Sequence, residues 1–114
     1  MTISLDILRL AQSFAAHAAT RQHAISQNIA NADTPGYKTR DGVSFSEFME
    51  FSERGQPEAL IRLDSRPATT SPNGNTVSLE HEMMRATEAR QSHELALGVY
   101  STARDILRAV IAKR

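Results

Sequence analysis

The sequence contains no cysteine among its 114 residues, which excludes disulfide frameworks, thiolate zinc sites and cysteine nucleophiles. Aromatic residues make up only 5% of the chain and tryptophan is absent, which is little for a base-stacking platform or a β-sandwich. Thirteen basic and thirteen acidic residues give a net charge of zero. Long-range attraction to nucleic acid or to an anionic membrane is therefore not expected, and a small DNA-binding helical protein is disfavoured.

Motifs that carry out catalysis or hold a metal ion are missing as well. The chain has no glycine-rich phosphate loop, no G-x-S-x-G sequence and no aspartate-rich calcium loop. His81-Glu82 begins like the helix of a zinc protease, but Arg85 occupies the position of the second histidine. The other histidines are not spaced as metal ligands on one helix face. We therefore predict no enzyme activity, no catalytic residue, no metal, no cofactor and no small-molecule substrate.

Long apolar runs are also lacking. No stretch approaches the ~20 residues of a membrane-spanning helix, and Asp6 interrupts the apolar residues that precede Arg9. The order of a cleaved signal peptide, in which a basic segment precedes an apolar one, is therefore absent. If the protein leaves the cytoplasm, we expect it to do so without signal cleavage.

The sequence does contain two long segments with helical periodicity. Residues 3–32 hold neither proline nor glycine, and residues 78–114 hold one glycine, Gly98. Apolar residues recur three and four positions apart in both segments, which indicates helices with an apolar stripe. We predict that these stripes carry assembly. The residues assigned to them are Leu8, Phe14, Ile25, Ile29, Leu79, Met83, Leu97, Tyr100, Leu107 and Val110.

The segment between the helices is poor in apolar residues and holds all four prolines and four of the five glycines. It carries the signals of a short helix after Ser44, with Phe45 and Phe48 on it, and of a short strand at residues 60–63. Pro35 followed by Gly36 suits a type II turn, in which Gly36 has a positive φ. We predict a largely irregular loop that partners order, with a possible short strand.

These segments together predict a mainly α-helical fold, in which two long terminal helices form an antiparallel, coiled-coil-like pair. We treat residues 1–114 as a single elongated domain with an N-terminal helix (1–33), an irregular middle segment (34–77) and a C-terminal helix (78–114). One pair cannot cover two wide apolar stripes, so the remaining apolar surface predicts partner helices from further copies or from other proteins. A helical-hairpin adaptor or chaperone that does not polymerise would have the same pattern.

The most distinctive segment, residues 28–38, joins the end of the first helix to the Pro-Gly turn. Asn28 and Asn31 are placed to cap or cross-link the backbone where the helix ends. Tyr37 is placed to cover apolar surface while its hydroxyl group stays in water. On these residues alone, an ordinary helix end followed by a turn is the simpler explanation.

The same segment resembles the N-terminal signature of the flagellar basal-body rod, hook and hook-associated axial proteins, which reads roughly N-I-A-N-x-x-T-x-G-Y. The matching residues, together with the proline of the turn, are Asn28, Ile29, Ala30, Asn31, Thr34, Pro35, Gly36 and Tyr37. The C-terminal part is similar to the family at Glu82-Met83, Arg90-Gln91, Tyr100 and 105–107. Residues 73–80 resemble the segment that precedes the last helix in one of two related proximal rod proteins. The other of these two proteins is the alternative assignment.

The resemblance implies a structural subunit of the proximal rod of the flagellar basal body, which polymerises helically and transmits torque from the membrane ring to the hook. It also implies a periplasmic location and export by the flagellar type III apparatus. The implied partners are further copies of the chain, other proximal and distal rod proteins, a FliE-like ring-adjacent protein, the membrane ring and the export gate, with no nucleic acid.

Overall fold

The structure, a computed structural model, describes residues 2–64, 67 and 69–112. Residues 113–114, at the end of the predicted C-terminal helix, lie outside the described residues. Two long helices flank a middle segment that contains a short helix, one 3₁₀ turn and two short strands. In chain order the elements are α1 (Thr2–Ala30), β1 (Arg40–Gly42), α2 (Phe45–Glu53), the 3₁₀ turn (Pro57–Ala59), β2 (Ile61–Leu63) and α3 (Leu79–Ala112).

The long helices α1 and α3 pack against each other in opposite directions and give the molecule its length. Ile7, near the start of α1, lies beside Ile106, near the end of α3, whereas Asn28 contacts Glu82 at the other end of the pair. The molecule measures 66 × 28 × 18 Å, and its radius of gyration is 17.6 Å, against ~13 Å for a compact chain of this size. The predicted fold class, a mainly helical chain with an antiparallel terminal pair, is confirmed.

Buried residues at seven-residue spacing, five of them alanines, form the seam between the two helices. The buried residues of this seam are Ala11, Ala18 and Ile25 on α1 and Ala89, Ala96 and Ala103 on α3. A seven-residue repeat keeps one side of each helix turned toward its partner, and alanine lets two helices approach closely. The core of the pair is therefore thin, and most large aliphatic side chains lie outside it.

The middle segment packs on α1 through aromatic rings. Ser44 caps α2 by accepting a hydrogen bond from the backbone N–H of Glu47 at 3.3 Å. The Phe45 ring lies 5.2 Å from that of Phe14, and the Phe48 ring lies 5.4 Å from that of His17, both in edge-on arrangements. The predicted helix after Ser44 is present, and its aromatic side covers part of α1.

The two short strands pair in an antiparallel ribbon, with Arg40 opposite Leu63 and Gly42 opposite Ile61. The predicted strand at residues 60–63 is thus present as β2. Its partner β1 was not predicted, because Arg-Asp-Gly has no alternation of apolar residues. The middle segment is consequently more ordered within the chain than its composition suggested. None of the helices in the described part of the chain combines the length and apolar content needed to cross a bilayer.

Candidate functional site

The matching segment lies where α1 ends, and its first residue is at the centre of a hydrogen-bond network. Asn28 is wholly buried. Its side-chain amide donates to the carbonyl oxygen of Arg40 at 2.7 Å, and its oxygen accepts from the N–H of Arg40 at 3.0 Å. The Asn28 side chain therefore forms a pair of hydrogen bonds with the backbone of Arg40, as a residue on a neighbouring strand would. This double bond to the backbone fixes β1 against α1 at a defined position.

The remaining hydrogen bonds of Asn28 go to one residue of the turn and one residue of α3. The Tyr37 hydroxyl donates to the Asn28 oxygen at 2.9 Å, and the Asn28 amide donates to Glu82 Oε2 at 3.0 Å. Burial, opposed by Arg40 and assisted by Glu82, raises the pKa of Tyr37 above its usual value. The Tyr37 side chain is half-buried, and its hydroxyl group, which we expected to stay in water, donates to a buried acceptor on Asn28.

Glu82 and Arg85 connect this network to the β-ribbon. Glu82 is 1% exposed and lies 3.4 Å from Arg85 Nη1, while Arg85 Nη2 donates to Asp64 Oδ2 at 2.7 Å. Burial disfavours the charged guanidinium, but the hydrogen bond that Arg85 donates to Asp64 and the charges of Asp41, Asp64 and Glu82 outweigh this effect and raise the pKa of Arg85. The residues that we call the polar cluster are Asn28, Tyr37, Asp41, Asp64, Glu82 and Arg85.

A second buried amide, from Asn75, closes the end of α1. Asn75 is 1% exposed, and its amide donates to the carbonyl oxygens of Asn31 at 2.9 Å and of Thr34 at 2.7 Å. The side-chain oxygen of Asn75 accepts from the N–H of Val77 at 2.8 Å. Carbonyl groups at a helix end lack partners within the helix. Asn75 bonds to carbonyl groups of the turn just beyond the end of α1 and ties the lead-in of α3 to this turn.

The other residues of the matching segment shape the turn itself. Asn31 donates to the carbonyl oxygen of Gln27 at 2.8 Å and accepts from the Thr34 hydroxyl at 3.1 Å. The N–H of Tyr37 donates to the carbonyl oxygen of Thr34 at 3.2 Å, which closes a four-residue turn. Gly36 has a φ of 74°, so its predicted positive φ is confirmed. The remaining members of the segment, Ile29, Ala30 and Pro35, are exposed.

The hydrogen bonds and ion pairs of this site connect different elements of the fold. Among the described residues, no buried side-chain nitrogen or oxygen lacks a hydrogen-bond partner. Nor does the described part of the chain contain a group of three or more histidine, aspartate or glutamate residues that could hold a metal ion. The polar cluster joins α1, the turn, the ribbon and α3 in one arrangement. It therefore fixes how the middle segment is carried by the helix pair.

Glu82, Arg85 and Asn75 were not selected from the sequence as site residues. The spacing of Glu82 and Arg85 on one helix turn is ordinary on an exposed surface, and Asn75 lies in a segment that looked like a simple turn. Their partners are distant along the chain: 54 residues separate Asn28 from Glu82, and 44 separate Asn31 from Asn75. One feature of the sequence did point to this region, namely the similarity of residues 73–80 and of Glu82 to the axial-protein family described above.

The structure distributes the predicted stripe residues over three environments. Ile25 is buried in the helix seam. The half-buried members, which flank the seam, are Leu8, Phe14, Tyr100 and Leu107. The exposed members, which lie outside the seam, are Ile29, Leu79, Met83, Leu97 and Val110. Half of the ten predicted stripe residues are therefore exposed and available to a partner.

Comparison with known proteins agrees with this geometry. A sequence profile described as flagella basal body rod protein matches residues 8–38, which include all of the segment from Asn28 to Tyr37. The chain is 32% identical over 103 residues to the flagellar basal body rod protein FlgB of Salmonella typhimurium LT2, covering 71% of this chain and 75% of that protein. The chain belongs to the FlgB family of flagellar basal body rod proteins.

Further relatives carry the same name. The chain is 29% identical over 105 residues to the flagellar basal body rod protein FlgB of Escherichia coli K12, covering 73% of this chain and 76% of that protein. It is 34% identical over 86 residues to FlgB of Yersinia enterocolitica, covering 56% of this chain and 63% of that protein. The two related rod proteins weighed on residues 73–80 were FlgB and FlgC, and the prediction of FlgB is confirmed. The chain is thus a structural protein of the flagellum and takes part in motility.

Proposed function

We propose that this chain is a subunit of the proximal rod and polymerises helically, so that the assembled rod transmits torque from the membrane ring to the hook. The observation that carries the proposal is the exposure of large apolar side chains along both long helices. On α3 alone, the exposed fractions of Met83, Leu97 and Ile106 are 65%, 51% and 55%. Monomeric soluble proteins rarely expose apolar patches of this extent, so these side chains are suited to packing against partners.

The shape of the molecule supports the same proposal. An elongated helix pair offers long side contacts, and contacts that repeat between different faces of successive subunits generate a helix rather than a closed pair. The polar cluster would hold the middle segment in a constant position on each subunit. A load applied along the rod would then be shared by many equivalent contacts, which transmitting torque requires.

The partners that we propose are further copies of the chain, the other rod proteins, a FliE-like protein beside the ring, the membrane ring and the export gate. The proposed location is the periplasmic part of the basal body, reached by type III export without signal cleavage. No enzyme activity is part of the proposal. A helical-hairpin adaptor or chaperone would also have exposed apolar helices, but it would remain outside the isolated rod.

The test replaces one exposed apolar residue in a flagellated host whose own copy of the gene is deleted. Leu97→Asp places a charge within the apolar surface of α3, and we expect loss of swimming and of hook-bearing basal bodies while export of the chain continues. Gln91→Asp, at another exposed position of the same helix, is the matched control and is expected to swim normally. Normal swimming of the Leu97 variant, or absence of the unsubstituted chain from purified basal bodies, would refute the proposal.

A further inference from the structure

The turn before α3 contains the one asparagine–glycine pair of the sequence, Asn73–Gly74. Asn73 is exposed and Gly74 is half-buried. Glycine has no side chain to shield its peptide nitrogen, so the side-chain amide of a preceding asparagine can react with that nitrogen and close a succinimide ring. The pair therefore places an electrophilic carbon beside a nitrogen that can attack it.

The hydrogen bond made by the Asn73 side chain favours this ring closure. Asn73 Oδ1 accepts from the N–H of Asn75 at 3.1 Å. A bond of this kind, an Asx turn, folds the side chain back toward the main chain that follows it. It also polarises the side-chain carbonyl group and stabilises the negative charge that its oxygen acquires during attack on Cγ.

Two further contacts act on the attacking nitrogen. The carbonyl oxygen of Asn73, which belongs to the same peptide group as the Gly74 nitrogen, accepts from the N–H of Gly36 at 3.0 Å. This bond stabilises the negative charge that the peptide group carries once the nitrogen loses its proton. Lys38 Nζ donates to the carbonyl oxygen of Gly74 at 2.6 Å, and its positive charge has the same effect.

One contact opposes the reaction. The N–H of Gly74 donates to the carbonyl oxygen of Ser71 at 2.9 Å, and this bond has to open before the proton is lost. Ser71 is exposed, and hydrogen bonds in exposed turns open at a small cost in free energy.

We propose that Asn73–Gly74 is a site of spontaneous covalent modification in the folded chain, at which Asn73 is converted to aspartate and isoaspartate. The Gly74 nitrogen gives its proton to hydroxide and forms a bond to Cγ of Asn73. The bond between Cγ and the side-chain nitrogen breaks, and ammonia leaves with a proton taken from water. Water then opens the succinimide, at Cγ to give aspartate or at the main-chain carbonyl carbon to give isoaspartate.

The two products affect the fold differently. Aspartate leaves the main chain unchanged and keeps the oxygen that accepts from Asn75. Isoaspartate directs the main chain through the side-chain carbons, which lengthens it and moves Gly74 away from Lys38. Because Asn75 holds the turn just beyond α1, this displacement releases the contact between that turn and the lead-in of α3.

The test follows each asparagine of the purified full chain in mildly alkaline buffer, with and without concentrated urea. Mass spectrometry of proteolytic peptides measures loss of the side-chain amide, and methylation by an isoaspartate-specific methyltransferase measures isoaspartate. We expect Asn73 in the folded chain to react within about five-fold of its rate in urea, because a single exposed hydrogen bond opposes the reaction. Asn31 and Asn75, which precede residues with side chains, are the internal controls and are expected to stay intact.

A charge substitution tests the contribution of the fold to the rate. Lys38→Met is expected to slow the reaction of Asn73 in the folded chain by about two- to five-fold, the range for an exposed charge, and to leave the rate in urea unchanged. Lys38→Arg is the matched control and is expected to react at the rate of the unsubstituted chain.

A melting experiment tests the consequence. The chain with isoaspartate at position 73, separated by ion exchange, is expected to melt at least about 4 °C below the unsubstituted chain. Asn73→Asp, which has the other product at the same position, is the matched control and is expected to melt with the unsubstituted chain.

Three results would overturn the inference. If Asn73 stays intact in the folded chain while it reacts in urea, the turn protects the site. If Lys38→Met and Lys38→Arg react equally fast in the folded chain, the fold does not assist the reaction. If the isoaspartate chain melts with Asn73→Asp, the modification does not release Asn75. None of these results bears on the proposed function, which the basal-body experiment tests separately.

Discussion

Asn28→Asp is the substitution that tests the polar cluster most directly, because it changes hydrogen-bonding character without changing size. A carboxylate in place of the amide still accepts from the N–H of Arg40 and from the Tyr37 hydroxyl. It cannot donate to the Arg40 carbonyl oxygen or to Glu82, which lie 2.7 Å and 3.0 Å from the Asn28 amide nitrogen. The variant therefore brings two carboxylates together in a site with no access to water.

The magnitude follows from the two lost donors. Leaving a buried acceptor without a partner costs about 1–3 kcal/mol, and more when the acceptor is charged. Two such acceptors give a loss of about 3–5 kcal/mol in the free energy of unfolding. For a chain of 114 residues, an unfolding entropy near 2.1 cal/mol/K per residue converts each kcal/mol to about 4 °C. We expect the melting temperature to fall by about 12–20 °C.

The assay is unfolding of the full chain by urea and by heat, monitored by circular dichroism. Asn73→Asp is the matched control, because Asn73 is exposed and uses its side-chain oxygen as an acceptor for the N–H of Asn75. A carboxylate retains that bond, so we expect a change within about 0.5 kcal/mol. Combining Asn28→Asp with Glu82→Gln restores a donor between the two side chains. The coupling energy of this pair is expected to be at least about 2 kcal/mol.

The reasoning would be refuted if Asn28→Asp unfolded within about 1 kcal/mol of the unsubstituted chain. It would equally fail if the coupling to Glu82→Gln were close to zero, because the structure places the two side chains in direct contact. A loss of the expected size without coupling would mean that the cost comes from Arg40 alone.

Two further predictions concern the turn. Gly36→Val forces a β-branched residue to a φ of 74°, where an added Cβ meets no neighbouring atom, so backbone strain alone is expected to lower the free energy of unfolding by about 1–3 kcal/mol. Gly98→Ala, in the helical and open environment of α3, is the matched control and is expected to raise the free energy of unfolding by about 0.5–1 kcal/mol. Equal effects of the two substitutions would contradict the argument. The raised pKa of Tyr37, caused mainly by burial, means that the folded state favours the neutral phenol. The stabilisation that this preference contributes is complete below pH about 10 and is lost as the pH rises through the folded-state pKa. The melting temperature of Tyr37→Phe is therefore expected to approach that of the unsubstituted chain in this alkaline range, and parallel curves of melting temperature against pH would contradict the assignment.

Local signals account for the parts of the fold that the sequence predicted. The two long helices follow from uninterrupted helical periodicity, the turn follows from Pro35 and Gly36, and the start of α2 follows from Ser44 as a cap. Each of these signals lies within a few residues of the feature it specifies. Gly55, just after α2, also has a positive φ, of 68°, but no proline or other turn signal next to it singled it out as Pro35 does for Gly36.

The polar cluster could not be predicted, because it depends on contacts between distant residues. The buried state of Glu82 requires Asn28 and Arg85 to compensate the loss of water around its carboxylate. Nothing in the residues next to Glu82 indicates that an amide from α1 will be there. β1 presents the same difficulty, since Arg40 is held in the ribbon by its pairing with Leu63 and by the side chain of Asn28 rather than by its own propensity.

The helix stripes show what helical periodicity alone can predict. It located the contact sides of α1 and α3, including the buried Ile25, but it did not separate the residues that form the seam from the residues that flank it. In the structure Ala89 and Ala96 form the seam, whereas Leu97 beside them is exposed. Close approach of two helices requires small residues between them, so the larger side chains are displaced to the flanks.

This arrangement buries small apolar residues and leaves large ones exposed, as the proposed assembly requires. Among the residues that the structure describes, six of the ten buried apolar residues are alanines, whereas fifteen large apolar residues are exposed. Burial of a methyl group contributes about 0.8 kcal/mol, and full burial of a large aliphatic side chain contributes about 1.5–3 kcal/mol. Packing in the proposed rod would bury large side chains that folding of the single chain leaves exposed. The specificity of the single chain then rests largely on its buried polar contacts, because a thin alanine seam alone would allow the helices to slide relative to each other, and Asn28, Asn75 and Glu82 fix their register.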